Sequence, residues 1–200
     1  MPDLDVETSR GLARVHLHPV DAPRAALVLG HGAGGGVTAR DLVATTGAAR
    51  SLGIAVALVE QPYRVAGRRA PAPAHHLDEA WSEVVARLRD GELAGLPLVV
   101  GGRSSGARVA CRTAASLGPV GVLCLAFPLR PPGRPDAPTR LAELDAVAVS
   151  VLVVQGERDP FGMPPPADRR VVVRVRGDHG LKGDLDAVAA AVEAWLSDLL

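Results

Sequence analysis

The chain is short of lysine: Lys182 is the only one, against 21 arginines. Any chemistry that needs a lysine therefore has one candidate. Cysteine is nearly absent too. Cys111 and Cys124 fall in an expected helix and an expected buried strand, which predicts reduced core thiols and no disulfide framework. No CxxC and no paired-histidine spacing suggests a metal site, and the adjacent His75 and His76 would point to different faces of one helix entry. The formal charge sums to zero, so nothing in the balance favours nucleic acid or an anionic membrane. No apolar run approaches the ~20 residues that span a bilayer. The opening MPDLDVETSRG is acidic and polar, unlike a signal peptide, and with the thiols it predicts a cytoplasmic protein. Aromatics number five.

What is present is alternation. Apolar runs at Leu12–His18, Ala25–Leu29, Ile54–Val59, Pro97–Val100, Val120–Leu125, Val151–Val154 and Val171–Val175 read as strands. Most are Val/Leu-rich on both faces, as a buried parallel sheet requires. Between them lie helical stretches. One runs from about Ala39 to Leu52, with Thr38 as expected N-cap and Asp41 three residues on. A second carries Leu77, Trp81, Val84, Val85 and Leu88 on one face, and a third follows Ser105. The last holds Leu185, Val188, Val192, Trp195, Leu196 and Leu199 behind an Asp184 cap. The pattern predicts a single α/β domain over 1–200, with a mostly parallel doubly wound sheet and helices on both faces. Loops at strand C-terminal ends are where such sheets place their sites.

Two glycine-rich turns sit at such ends. Gly30-His31-Gly32-Ala33-Gly34-Gly35 satisfies G-x-G-x-x-G after a strand, and Glu60 closes the next strand where a ribose-binding acid could stand. A dinucleotide site is therefore one reading. Against it, a strand precedes the fingerprint, Tyr63 has no lysine four residues on, and the second turn goes unexplained. That second turn, Gly102-Arg103-Ser104-Ser105-Gly106, is G-x-S-x-G between a strand and a helix. In this frame Ser104 is the raised residue, its hydroxyl clear of the sheet, with glycine two before and two after where backbone crowds.

A serine needs a base, and the base an orienting acid. After Ser104 the chain holds one histidine, His179, in RGDHGLK past the strand Val171–Val175. Asp159, in QGERDPFG one strand earlier, ranks first as the acid, with Glu157 and Asp178 as solvent-facing alternatives. The Ser105 amide at a helix N-terminus and the amide of Ala33, or of Gly34, are the oxyanion donors. His31 reads as a loop-fixing residue.

HGAGGG, GGRSSG, QGERDPFG and GDHGLK together resemble the four landmark loops of the α/β-hydrolase superfamily, over about residues 14 to 197. EQPYRVAGRRAP resembles the tyrosine- and GRR-bearing loop of a small dienelactone-hydrolase-like branch. That branch includes a testis-expressed animal protein and a subunit of a histone-acetyltransferase complex. The resemblance implies a single-domain hydrolase with little or no cap. It also implies a cofactor-free esterase that takes a small-molecule acyl substrate, with neither nucleic acid nor membrane as partner. Dienelactone hydrolases proper use a cysteine nucleophile, where this chain has Ser104. Members that work inside complexes keep a binding or scaffold module as the alternative. Tyr63, Arg68 and Arg103, with Gly34, are candidate substrate-binding residues. For the arginines the competing reading is an ion pair for Arg103 and a solvated loop for Arg68 and Arg69. The 25 residues from Ala126 to Ser150 are too short and too rich in Pro and Gly to build an acyl tunnel, which predicts a small substrate.

Overall fold

The computed structural model describes residues 3–134 and 136–200. Among them eight strands form one sheet: β1 (Asp3–Thr8), β2 (Gly11–His18), β3 (Ala25–Gly30), β4 (Ile54–Glu60), β5 (Leu98–Arg103), β6 (Gly121–Leu125), β7 (Ser150–Gly156) and β8 (Arg170–Val175). Their spatial order is β1-β2-β4-β3-β5-β6-β7-β8. β1 and β2 form an antiparallel hairpin, β2 runs antiparallel to β4, and the rest pair in parallel.

The apolar runs are continuous because both sheet faces are covered. In β3, Ala26 and Val28 pack on one side while Ala25, Leu27 and Leu29 pack on the other. In β7 the same alternation separates Val151 and Val153 from Leu152 and Val154. The helices α3 (Ala74–Asp90) and α4 (Ser105–Leu117) cover the first face, with Trp81 and Leu88 fully buried. The helices α1 (Arg40–Ser51) and α6 (Leu185–Leu199) cover the second, through Leu42, Ala49, Val188, Val192 and Leu196. Truncating a side chain like Trp81 in such a layer costs about 3–5 kcal/mol. The parallel crossovers bring the ends of β3, β5, β7 and β8 to one rim, where the site is built.

Three features differ from the sequence reading. β1 was not anticipated, because DLDVET alternates acids with a single fully buried residue, Val6. Helix α1 starts at Arg40 after Ala39, and Thr38 is exposed and caps nothing. Asp41, the expected capping-box partner, is turned inward to an arginine instead. The Gln61–Ala74 loop contains a one-turn helix, α2 (Pro62–Val65), with proline in its first turn. As the sequence implied, the described residues between β6 and β7 form just α5 (Leu141–Asp145), five residues long, and build no cap over the rim. Among the described residues no helix is long and apolar enough to cross a membrane.

Candidate active site

β5 hands over to α4 at Ser104, which takes φ +52° and ψ −107°. An L-residue held there stores roughly 1–3 kcal/mol of strain. The surroundings over-determine it. The Ser104 amide donates to the Leu125 carbonyl at 2.8 Å. On the flanks, a Cβ on Gly102 would lie 2.5 Å from the Gly30 carbonyl oxygen, and one on Gly106 would lie 2.4 Å from the same atom. The elbow therefore needs glycine on both sides for backbone contact with the end of β3.

His179 lies in the loop between β8 and α6. Its Nε2 is 2.9 Å from Ser104 Oγ, and its Nδ1 is 2.8 Å from Asp159 Oδ2. The partners set the tautomer: a carboxylate can only accept, so Nδ1 carries the proton and Nε2 is free to accept from the serine hydroxyl. The Asp159 side chain is 1% exposed. Its Oδ1 accepts from the Phe161 amide at 2.8 Å, and its Oδ2 also accepts from Gln155 Nε2 at 2.8 Å. The Phe161 ring lies against the imidazole, with centroids 4.1 Å apart. The other two acids stand apart. Glu157 is exposed, and Asp178 is exposed with Oδ1 accepting from the Gly180 amide at 2.8 Å.

Ser105 is the first residue of α4, so its amide sits at a helix N-terminus beside Ser104. Across from it, the loop after β3 carries Ala33, whose carbonyl accepts from Tyr63 Oη at 2.9 Å. His31 underpins that loop. Its Nδ1 donates to the Gly32 carbonyl at 2.8 Å, while its Nε2 accepts from the Gln61 amide at 3.1 Å. Both nitrogens are thus satisfied by the neutral ring, and burial pushes its pKa down. Gly34 is exposed, with open space around its Cα.

The remaining candidates divide. Tyr63 is buried, and its hydroxyl bonds the Ala33 carbonyl, so it braces the loop after β3. Its ring and Arg68 line a cleft of about 640 Å³ between the β1–β2 turn, α2 and the start of α3. Arg68 and Arg69 are exposed. Arg103 is ion-paired with Asp41, Nε to Oδ2 at 2.9 Å, and its Nη2 donates to the His179 carbonyl at 2.9 Å. The ion-pair reading thus describes Arg103. Glu60, the acid a nucleotide ribose would require, lies 3.4 Å from His16 of β2 and beside the glycine loop, where a Cβ added to Gly36 would come 3.7 Å from its Oε1.

Three site neighbours escaped the sequence reading: Gln155, Phe161 and Asp41. Gln155 had a signal, as the one polar residue inside the apolar run of β7, and it is fully buried. Asp41 had none, since nothing local says that a first-turn acid faces inward.

The family profile described as "Alpha/beta hydrolase domain" matches residues 23–184. The chain belongs to the α/β-hydrolase family. A search of curated proteins by sequence returned no match. Among solved structures, an α/β serine hydrolase without lid from Xanthomonas campestris is similar at 19% identity and TM-score 0.80, covering 100% of this chain and 94% of that one. Est1E from Butyrivibrio proteoclasticus is similar at 14% identity and TM-score 0.80, covering 98% of each chain. A dienelactone hydrolase from Anabaena variabilis is similar at 17% identity and TM-score 0.77, covering 100% and 97%. At these identities the likeness shows the α/β-hydrolase fold, with its mostly parallel sheet and no cap.

Proposed function

We propose that this α/β hydrolase, acting as one domain over its whole length, is a serine esterase that cleaves small acyl esters through an acyl-enzyme. The observation that carries this reading is the unbroken relay from Asp159 Oδ2 to His179 Nδ1 and from His179 Nε2 to Ser104 Oγ, at 2.8 and 2.9 Å. Every donor in it faces an acceptor.

Ser104 Oγ attacks the acyl carbonyl carbon while its proton passes to His179 Nε2. The carbonyl π-pair moves to oxygen, and the Ser105 and Ala33 amides receive that oxyanion. One such donor is worth about 3 kcal/mol of transition-state stabilisation. The tetrahedral carbon collapses, the alkoxide leaves, and His179 returns the proton to it as the alcohol. Water then attacks the acyl-enzyme with the same base and donors, releasing the carboxylic acid and restoring the serine. Asp159 holds the imidazole tautomer and stabilises the imidazolium. No cofactor enters any of these steps.

The open rim supports a short acyl group. Burial of a long tail would add about 0.8 kcal/mol per CH₂ only where something covers it, and the five-residue α5 covers little. Est1E has been solved with ferulic acid bound, which supports a carboxylic ester as the bond cleaved. The likeness of the Tyr63- and GRR-bearing loop supports membership of a dienelactone-hydrolase-like branch with serine as nucleophile, and the two thiols suit a cytoplasmic setting.

A fluorophosphonate probe should label wild type at Ser104, and kcat/KM on p-nitrophenyl esters should peak from acetate to butyrate and fall by octanoate. Absence of both labelling and turnover would sink the esterase reading. A steady rise through dodecanoate would instead sink the claim of a small substrate.

A further inference from the structure

Arg103 takes no part in the proton transfers above, yet its guanidinium meets three separate stretches of chain. Its Nη2 donates to the backbone carbonyl of His179 at 2.9 Å. Its Nε lies 2.9 Å from Asp41 Oδ2 in the first turn of α1. Its Nη1 lies beneath the oxyanion loop, where a Cβ added to Gly32 would come within 2.8 Å of it. The Asp41 side chain is 1% exposed, and its Oδ1 accepts from the Leu42 amide at 3.0 Å.

We infer that Arg103 is a positioning residue, which with Asp41 as buried counter-ion clamps the histidine loop and the oxyanion loop to the nucleophile elbow. The inference rests on the serine-esterase reading for its catalytic consequence. Three physical points carry it. The His179 ring is tied to Asp159 through Nδ1, but a side-chain tether does not fix the backbone of a loop holding Gly177, Gly180 and Gly183. The Arg103 bond reaches the carbonyl of His179 itself, and so anchors the residue that carries the base. A buried carboxylate without a cation would be costly, so Asp41 keeps the guanidinium in place. Finally, Nε faces the Asp41 carboxylate as an ion pair while Nη2 donates to the His179 carbonyl in a different direction, a pairing that one ammonium cannot reproduce. With Nε and Nη2 engaged in this way, Arg103 is a strut of the site and no anion-binding arm for substrate.

Gly32 sharpens the point. A Cβ meeting the end of a free arginine would displace it at little cost. Here that end is tied at two other nitrogens, so Gly32→Ala must strain the loop or break the clamp.

The test uses Arg103→Ala, Arg103→Lys, Gly32→Ala and the double variant Asp41→Asn/Arg103→Met. Hydrogen–deuterium exchange over residues 177–183, fluorophosphonate labelling rate and p-nitrophenyl acetate kinetics are measured on each. Arg103→Ala should exchange faster over 177–183 while the sheet stays protected. It should label about 100-fold more slowly, as expected for a displaced catalytic group, with the loss in kcat and little change in KM. Low-millimolar guanidinium, but not sodium, should restore part of the rate. Arg103→Lys and Gly32→Ala should fall between it and wild type. If Arg103→Ala fails to fold, the double variant, which removes both buried charges, should fold and show the same exchange and the same slow labelling. Folded variants that label and exchange like wild type would overturn the clamp. So would a loss of protection spread over the whole sheet with no guanidinium rescue. Wild type that does not label, with 177–183 exchange still dependent on Arg103, would defeat the esterase reading and leave the clamp standing.

Discussion

The two glycine-rich turns look alike on paper and are built for opposite purposes. In the turn after β5, the glycines are places where backbone touches backbone: Gly102 and Gly106 both close on the Gly30 carbonyl, and between them Ser104 is forced to a positive φ. In the turn after β3, Gly34 and Gly35 have nothing within 4 Å of where a Cβ would stand. There the chain stays open to solvent and is braced from below by His31 and Tyr63. One turn is a rigid mount for a side chain. The other is a solvent-open strap held from beneath. A glycine pattern therefore carries meaning only once its neighbours are known.

Substitutions across the two turns break or sharpen this contrast. Ser104→Ala should abolish fluorophosphonate labelling and lower ester turnover by about 10⁴-fold or more, with thermal denaturation nearly unchanged. If Ser105→Ala proves the dead variant instead, the mount holds the wrong serine. Asp159→Asn should lose about 10³–10⁴ in kcat, far more than Asp178→Asn or Glu157→Gln under the same assay. Equal losses at all three would remove Asp159 as the orienting acid.

Gly106→Ala should destabilise by more than about 3 kcal/mol, read by denaturant unfolding, because its Cβ would meet backbone at 2.4 Å. Gly34→Ala should stay within about 0.5 kcal/mol. Comparable costs would erase the difference between the turns. Tyr63→Phe removes one hydrogen bond to the Ala33 carbonyl and should reduce kcat by up to about tenfold, without loss of labelling. The smallest effect concerns His31. Burial depresses its folded pKa, so as pH falls through about 6.5 the unfolded chain binds a proton that the folded one refuses. Stability should therefore decline from pH 7 towards 5, and His31→Asn should flatten that slope. An unchanged slope would show that His31 is not buried neutral.

The architecture was legible wherever a strand was apolar on both faces, as in β3, β4, β6 and β7, and wherever a helix carried one apolar stripe, as in α3 and α6. It was illegible where tertiary contacts overrule local pattern. β1 survives on hairpin pairing and the single buried Val6. Thr38 does not cap α1, and Asp41 faces Arg103 instead of completing a capping box. Ser104, His179 and Asp159 could be placed on the same rim from strand order alone, and the structure brings them within hydrogen-bonding distance. Arg103 could not be read that way. Its fork depends on a buried carboxylate sixty-odd residues upstream and a carbonyl on a distant loop, and neither leaves a trace in the local pattern.

The two cysteines lie on opposite sides of one packing seam. Cys111 on α4 and Cys124 on β6 are buried, with sulfurs 3.5 Å apart, and that contact and burial push the Cys124 thiol pKa well up. Neither sulfur can meet a reagent until α4 lifts from the sheet. Their rate of capture by a thiol reagent is thus an internal stopwatch for that event. It reports, with no residue engineered in, how frequently the helix that begins at the nucleophile elbow lets go of the strands beneath it.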